Sequence, residues 1–378
     1  MIYLDYNATT PVDSRVLQEM LPYFSQTFGN AASAHPFGFD AKKAVNIARE
    51  KIAQHLHCDA QEIIFTSGAT ESINLALKGI FESYSEKGNH IITVATEHQA
   101  VLDSCKKLES RGAEITYLKV DKNGLIDLNE LRNSIKPTSI LIAVMYANNE
   151  TGVIQPIAAI GKIAKENNLL FFCDATQAVG KIPMNVVGDN IDLLCLSGHK
   201  IYAPKGIGAL YIRRKNPRVA ITEQINGGGH ERGWRSGTLN VPSIVGLGKA
   251  FDFFDEEQRQ KIKLLRDKLE TGLLQIEGTY LNGDKEKRIF NTANISFSGV
   301  QGKMLIADLT KEIAVSSGSA CSSASAKPSH VLEAMNVSEA LNRNSIRFSL
   351  GRLTTEEETF FTIKFVKETV EQIRSIHF

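Results

Sequence analysis

Lys200 closes the tetrapeptide Ser197-Gly198-His199-Lys200, which follows the short apolar run Asp192 to Leu196 and precedes a turn punctuated by Pro204 and Gly206. A lysine at the end of a buried strand can be desolvated, and desolvation lowers the pKa of an amine. A deprotonated lysine amine condenses with carbonyl compounds to a Schiff base. A second candidate, Asp174, follows the apolar run Leu169-Leu170-Phe171-Phe172-Cys173, again at a strand end. A lysine that carries a Schiff base and an aspartate that faces a pyridinium nitrogen are the two fixed points of pyridoxal phosphate chemistry. The pair therefore predicts pyridoxal phosphate as cofactor.

Other segments could complete such a site, and each has a plainer reading. Phe65-Thr66-Ser67-Gly68-Ala69-Thr70-Glu71-Ser72 reads as strand, glycine turn and helix start. The backbone N–H groups at a helix start hold phosphate, and the Thr70 hydroxyl adds a donor; the plain reading is an ordinary N-cap. His98, after the strand His90–Val94, lies where ligands bind in an α/β sheet. It could stack on a pyridine ring and move protons, or cap the next helix. Asn148 and Asn149 suit a turn, but an Asn at this depth could also bond a cofactor oxygen or a substrate carboxylate. Gln177, soon after Asp174, could reach a phenolic oxygen. The stretch Asn226 to Thr238 is rich in Gly and Arg and reads as a surface loop or an anion cradle. Arg347 sits in the apolar strand Ser345-Ile346-Arg347-Phe348-Ser349. A buried Arg needs an anionic partner, either a substrate carboxylate or an internal ion pair.

Of five cysteines, no two stand at CxxC spacing, so the thiols are expected to be free and the compartment reducing. Cys173 and Cys195 lie in apolar strands and read as inert core thiols. Cys58 and Cys105 fall on helical segments. Cys321 differs, because Ser316 to Pro328 is small, polar and flexible. A thiol on such a loop is exposed, and a nucleophilic role is one use for it.

These residues need elements to hold them. From Asp13 to Phe254 short β-branched runs alternate with amphipathic stretches. The strands are expected at Glu62–Thr66, His90–Val94, Glu114–Leu118, Ser139–Val144, Leu169–Cys173, Asp192–Leu196 and Gly208–Ile212. The helices are expected at Asp40–Leu56, Thr70–Tyr84, Gln99–Ser110 and Ile157–Asn167. Strands apolar on both faces argue for a sheet covered by helices. The fold expected is α/β: a large cofactor-binding domain with a mostly parallel seven-stranded sheet, 13–255, plus a smaller α+β C-terminal domain. The small domain takes 1–12 and 256–378, with a charged helix from Glu256, strands Thr292–Phe297 and Ser345–Leu350, a helix Gly302–Leu309 and a last helix Thr355–Ile376. The formal net charge of +1 implies no bulk attraction to nucleic acid or membrane. The N-terminal residues lack a signal-peptide pattern, so the expected location is cytoplasmic. No metal site is expected.

The ordered combination of Ser-Gly-His-Lys at 197–200, Arg-Ser-Gly-Thr at 235–238 and Ser-Ser-Gly-Ser-Ala-Cys at 316–321 resembles the cysteine desulfurases of the NifS/IscS type, within the fold-type I pyridoxal phosphate enzymes of the class-V aminotransferase family. The likeness runs from Tyr3-Leu4-Asp5-Tyr6-Asn7-Ala8-Thr9-Thr10-Pro11 to Arg352. It implies that Lys200 carries the cofactor and shuttles protons, Asp174 keeps the pyridine nitrogen protonated, His98 stacks and acts as acid and base, and Gln177 bonds the phenolic oxygen. It implies that Ala69, Thr70, Ser197 and His199 hold the phosphate, with Thr238 supplied by the neighbouring subunit of a homodimer. Asn149 and Arg347 would orient the carboxylate of the substrate L-cysteine. Cys321 would take the sulfur as a persulfide, L-alanine would leave, and sulfur would pass to iron–sulfur scaffold proteins or tRNA thiolation enzymes. Cys321 would at most ligate an iron–sulfur cluster transiently with a partner. Two rivals stay open: an aminotransferase of the same fold, with no use for Cys321, and a sulfur carrier without catalysis.

Overall fold

The computed structural model of the chain describes residues 1–317 and 328–376. In chain order the elements are β1 (Ile2–Tyr3), α1 (Ser14–Met20), α2 (Pro22–Ser25), α3 (Pro36–Leu56), β2 (Ile63–Thr66), α4 (Ala69–Ser83), β3 (His90–Val94), α5 (Gln99–Glu109), β4 (Glu114–Leu118), α6 (Leu128–Asn133), β5 (Ser139–Ala143), α7 (Ile157–Glu166), β6 (Leu170–Asp174), β7 (Leu193–Ser197), β8 (Gly208–Ile212) and α8 (Val241–Ala250). There follow α9 (Glu256–Leu273), β9 (Thr279–Leu281), β10 (Thr292–Phe297), α10 (Gly302–Leu309), β11 (Ile313–Ala314), β12 (Ser316–Ser317), α11 (His330–Ala334), α12 (Glu339–Arg343), β13 (Ser345–Ser349) and α13 (Glu356–Ser375).

Seven strands form one sheet in the order β2-β8-β7-β6-β5-β3-β4. The pairs from β7 to β4 are parallel, and only β8 runs against its neighbours β2 and β7. Successive residues of a strand point to opposite faces, and both faces here are covered. Phe171 and Cys173 join one core with α3, α7 and α8, whereas Leu170 and Phe172 join the other with α4 and α5. That is why these strands read as unbroken apolar runs. Phe171 and Phe172 are fully buried, and each such side chain contributes roughly 1.5–3 kcal/mol.

A second, antiparallel sheet runs β12-β13-β10-β9. Its core joins Phe297 and Phe348 to Leu269 of α9 and Val366 and Val370 of α13. Leu4 of the N-terminal arm is buried in this same core, and β1 pairs in parallel with β11. The arm then crosses to the large sheet, where Thr10 N donates to His199 O at 2.9 Å. Among the described residues no helix is long and apolar enough to cross a membrane.

One local expectation is corrected. Helix α3 stops at Leu56, with His57 left-handed at φ 56°, so Cys58 lies beyond the helix. The Ser-free polar step His57–Cys58 gave no visible stop signal in the sequence.

Candidate active site

The parallel strands β5, β6 and β7 and the strand β3 all end at one edge of the sheet, and a cavity of about 570 Å³ opens there, within the range of small-molecule sites. Its walls bring together Ala69, Thr70, His98, Asn149, Asp174, Gln177, Ser197, His199, Lys200 and Arg347, all of them expected from the sequence. Thr238 is exposed and does not line this chain's own cavity. Cys321 lies outside the described residues.

Lys200 ends the short turn Gly198–Lys200 that follows β7. Gly198 N donates to Ile207 O at 2.9 Å, and a Cβ on Gly198 would stand 2.9 Å from Ile207 Cγ2, so a tight turn fixes where the lysine starts. Lys200 Nζ donates to Asn7 O at 2.6 Å and to Ala8 O at 2.7 Å, so the N-terminal arm holds the amine. Asp174 is the last residue of β6 and is buried; its Oδ1 accepts from Thr176 N at 2.9 Å and from Cys195 Sγ at 3.3 Å. His98 caps α5, with Nδ1 accepting from Ala100 N at 3.1 Å. The plain capping reading therefore holds, and it aids the chemical one: an accepting Nδ1 places the proton of the neutral ring on Nε2.

The end of the cavity near α4 suits a phosphate. Gly68, at φ 154°, lets the chain turn from β2 into α4, whose first-turn N–H groups carry positive partial charge. A Cβ on Gly208 would stand 2.7 Å from Gly68 Cα, so β8 and this turn pack backbone to backbone. Burial lowers the His199 pKa to about 4, with the charges of Lys200 and Lys205 adding to the fall, so His199 is neutral. The glycine-rich loop is tied down here rather than free. Arg235 Nε bonds Glu71 Oε1 at 2.7 Å, and Glu231 pairs with the buried Arg49 at 2.6 Å while accepting from Phe65 N at 2.8 Å. Arg235 is thus engaged by a carboxylate of the chain, which differs from the anion-cradle reading of this loop.

Arg347 is buried and donates from Nη1 to Asn149 O at 2.9 Å and from Nη2 to Asp5 Oδ1 at 2.7 Å. The internal ion pair is present, and Arg347 lines the cavity as well. Its Nε has no hydrogen-bond partner among the described residues. Asn148 serves the turn: its Oδ1 accepts from Glu150 N and Thr151 N, which leaves Asn149 as the cavity residue of the pair.

Asn7, Glu150 and Glu97 are among the residues that went unnoticed in the sequence. Asn7 is a hub: its carbonyl takes Lys200 and Gln177, its Oδ1 takes Asn291, and its Nδ2 reaches Thr292 Oγ1 at 2.8 Å. Its only sequence signal is a polar, turn-prone residue inside the arm. Glu150 is buried, and burial raises its carboxyl to about 7, against the Ser329 hydroxyl bond and the Arg347 and His98 charges. Glu97 is buried beneath His98. Its Oε1 accepts from Met145 N at 2.6 Å, and its Oε2 has no partner among the described residues. Burial raises its pKa well above the ordinary value, and the charge of Asp174 adds to the rise.

The signs of these shifts make a testable pH effect. A carboxyl with a raised folded pKa stabilises the fold only while the unfolded chain is also protonated. As pH rises past the unfolded value, about 4.3, the unfolded chain ionises first. Stability then falls by up to about 1.4 kcal/mol per pH unit for one proton. Glu150 adds a slope of the same sign that ends near pH 7. Glu97→Gln should remove the Glu97 share, so urea unfolding at pH 5 and pH 8 should show a smaller stability loss in the variant. Equal losses would mean that Glu97 ionises in the native state.

Fold and site together define an enzyme built around pyridoxal phosphate: a lysine amine, a buried carboxylate, a ring-sized cavity and a helix start for a phosphate. The profile described as class-V aminotransferase matches residues 2–359, and the chain belongs to that family, whose members are pyridoxal phosphate-dependent. It is 53% identical over 381 residues to the cysteine desulfurase IscS of Mannheimia succiniciproducens, spanning 99% of this chain and 94% of that relative. Among solved structures, a NifS-like protein superposes with a TM-score of 0.92 at 39% identity, over 98% of this chain and 99% of its own. A structure described as SspA in complex with cysteine superposes with a TM-score of 0.84 at 38% identity, over 94% of this chain and 100% of its own.

Proposed function

We propose that the chain is a cysteine desulfurase: it takes sulfur from L-cysteine as a persulfide on Cys321 and releases L-alanine. The observation that carries this reading is the single cavity joining Lys200, Asp174, His98 and Arg347, in a chain alike over its whole length to cysteine desulfurases. When bound, pyridoxal phosphate supplies an electron sink that acidifies carbon–hydrogen bonds of an attached amino acid.

The roles proposed for the chain's own groups are supported by their places on the cavity wall. Lys200 Nζ carries the cofactor and moves the Cα proton of the substrate. Asp174 offers Oδ2 to the pyridine nitrogen, since both bonds it accepts fall on Oδ1. With the cofactor bound, His98 would cover its ring and Gln177 would bond its phenolic oxygen. The backbone of Ala69, with Thr70, Ser197 and His199, holds the phosphate. Arg347 and Asn149 orient the substrate carboxylate, with Asp5 keeping the guanidinium in place from the other side. The Cys321 thiolate attacks the substrate sulfur; the S–S bond forms, the Cβ–S bond breaks, and Cβ takes a proton. The four described thiols suit this work poorly. Burial raises Cys58, Cys173 and Cys195 far up, and Cys105 to about 12.

The same reading gives a homodimer in the cytoplasm, with 13–255 as the large unit and 1–12 with 256–378 as the small one. Phe24, Phe28, Phe37 and Phe39 are exposed on α2 and around the start of α3. Helices α1 and α3 pack on α8, which begins just after Thr238. An exposed apolar surface on helices that pack around α8 supports a second copy covering it and receiving Thr238 into its own site. The sulfur acceptors would be iron–sulfur scaffold or tRNA thiolation proteins.

The test is a single incubation with L-cysteine followed by alkylation and peptide mass analysis. The expected result is L-alanine in solution and one added sulfur on the Cys321 peptide. Sulfur on another cysteine, or transamination of a keto acid in place of alanine formation, would overturn the reading.

A further inference from the structure

Lys181 lies just outside the cavity yet touches two of its walls. Its Nζ donates to Gln177 Oε1 at 2.7 Å and to Asn7 Oδ1 at 3.2 Å. Gln177 Nε2 in turn donates to Asn7 O at 2.9 Å, the same carbonyl oxygen that accepts Lys200 Nζ at 2.6 Å. Lys181, Gln177, Asn7 and Lys200 thus form one connected set of bonds. An ammonium group offers only donors, so the amide end that faces it must be the oxygen. The NH2 end of Gln177 is then turned to the side where Asn7 and Lys200 stand. Lys181 and Lys200 also share the wall of a narrow second cavity of about 50 Å³ behind the site. The titratable and charged groups facing Lys181 are Lys200 and Arg347, across the small cavity Tyr6, Tyr202, Asp255, Arg259 and Arg352, and on its outer side His55, His57 and Glu256. Burial lowers the Lys181 pKa to about 7, with Lys200 and Arg347 adding to the fall, so the amine keeps a substantial charge at neutral pH.

We propose that Lys181 is a positioning residue of the cofactor site: it holds the Gln177 amide with its NH2 edge toward Lys200, and it sets a second amine behind the first. The inference rests on the roles given above to Lys200 and Gln177. Two effects follow. Loss of the bond to Gln177 Oε1 frees the amide to turn over and present oxygen to the phenolic oxygen of the cofactor, which weakens binding. Loss of the charge removes a like-charge neighbour from the nitrogen that joins Lys200 to the cofactor, so that nitrogen stays protonated to higher pH.

Lys181→Met, Lys181→Gln and Lys181→Arg separate the two effects in the full-length protein reconstituted with pyridoxal phosphate. The readouts are cofactor affinity by equilibrium dialysis and the pH midpoint of the visible absorption of the lysine-bound cofactor. Lys181→Met should weaken affinity about tenfold, the worth of one such hydrogen bond, and raise the midpoint by about one unit. Lys181→Gln, still a donor but uncharged, should recover most of the affinity and keep the raised midpoint. Lys181→Arg should restore both. An unchanged midpoint in Lys181→Gln overturns the proposal, even if Lys181→Met does not fold. So does a Lys181→Arg protein that rescues neither readout. The wild-type absorption and a Lys200→Ala control report separately on the Lys200 assignment. If the control keeps a covalent cofactor, that assignment fails rather than the role of Lys181.

Discussion

Lys200→Ala is expected to abolish turnover and to leave any bound pyridoxal phosphate unattached. The substitution removes a side chain whose start is fixed by the Gly198 turn and whose end is held by Asn7 O and Ala8 O. No other described lysine combines a place on the cavity wall with two backbone acceptors at its amine, so no neighbour replaces it. Lys205 lines the same cavity, but it sits within the Pro204–Gly206 turn and is exposed. The loss should be at least about 10⁴-fold in kcat, the scale seen when a nucleophilic group of a working set is removed. The fold should survive, because the arm stays anchored through Leu4 in the small core and through Thr10 on His199 O. Borohydride reduction gives the direct measurement: it should fix the cofactor to the wild-type chain at Lys200 and leave the variant unlabelled. A variant that is still labelled would move the covalent link to another lysine.

Much of the frame that holds Lys200 was legible in the sequence. Glu114–Leu118, Gly208–Ile212, Thr292–Phe297 and Gly302–Leu309 begin and end where the pattern put them, because their burial is set by the local run of side chains. Two strands run one residue further than the pattern suggested, and both added residues line the cavity. The sequence reading stopped at Cys173 and Leu196, where the apolar run stops. The ladder does not stop there: Asp174 pairs with Cys195 and Ser197 pairs with Gly208. Backbone pairing ignores side-chain polarity, so it carries two polar residues to the sheet edge in rigid register. The two-residue strands Ile2–Tyr3, Ile313–Ala314 and Ser316–Ser317 were invisible, since each exists only by pairing with distant chain. Asn7, Lys181 and Glu97 escaped for the same reason. What they do depends on bonds across the fold, and nothing in their neighbours announces it. Arg347 shows the boundary from the other side. Its need for an anion was legible, but the identity of that anion, Asp5 on the arm, belongs to the tertiary structure.

The second large effect belongs to Asp174. Asp174→Asn should lower turnover by about 10³-fold, the scale of losing one preorganised electrostatic partner in a dry site, while leaving the fold and cofactor attachment in place. The neutral amide has nearly the same shape and its oxygen can still accept from Thr176 N, so the β6 end is not disturbed. What disappears is the negative charge that makes protonation of a facing nitrogen favourable. Among the described residues, the two groups nearest to it are poor substitutes. Glu97 is close enough to feel Asp174, but burial favours its protonated form, and burial likewise favours the thiol form of Cys195, which donates to Asp174. The substitution thus removes the carboxylate that closes β6 on the cavity wall. Turnover at saturating L-cysteine is the measurement, with borohydride labelling of Lys200 as the control for attachment. Wild-type turnover in a labelled Asp174→Asn protein would mean that the nitrogen needs no anionic partner here, and Asp174 would lose its place in the chemistry.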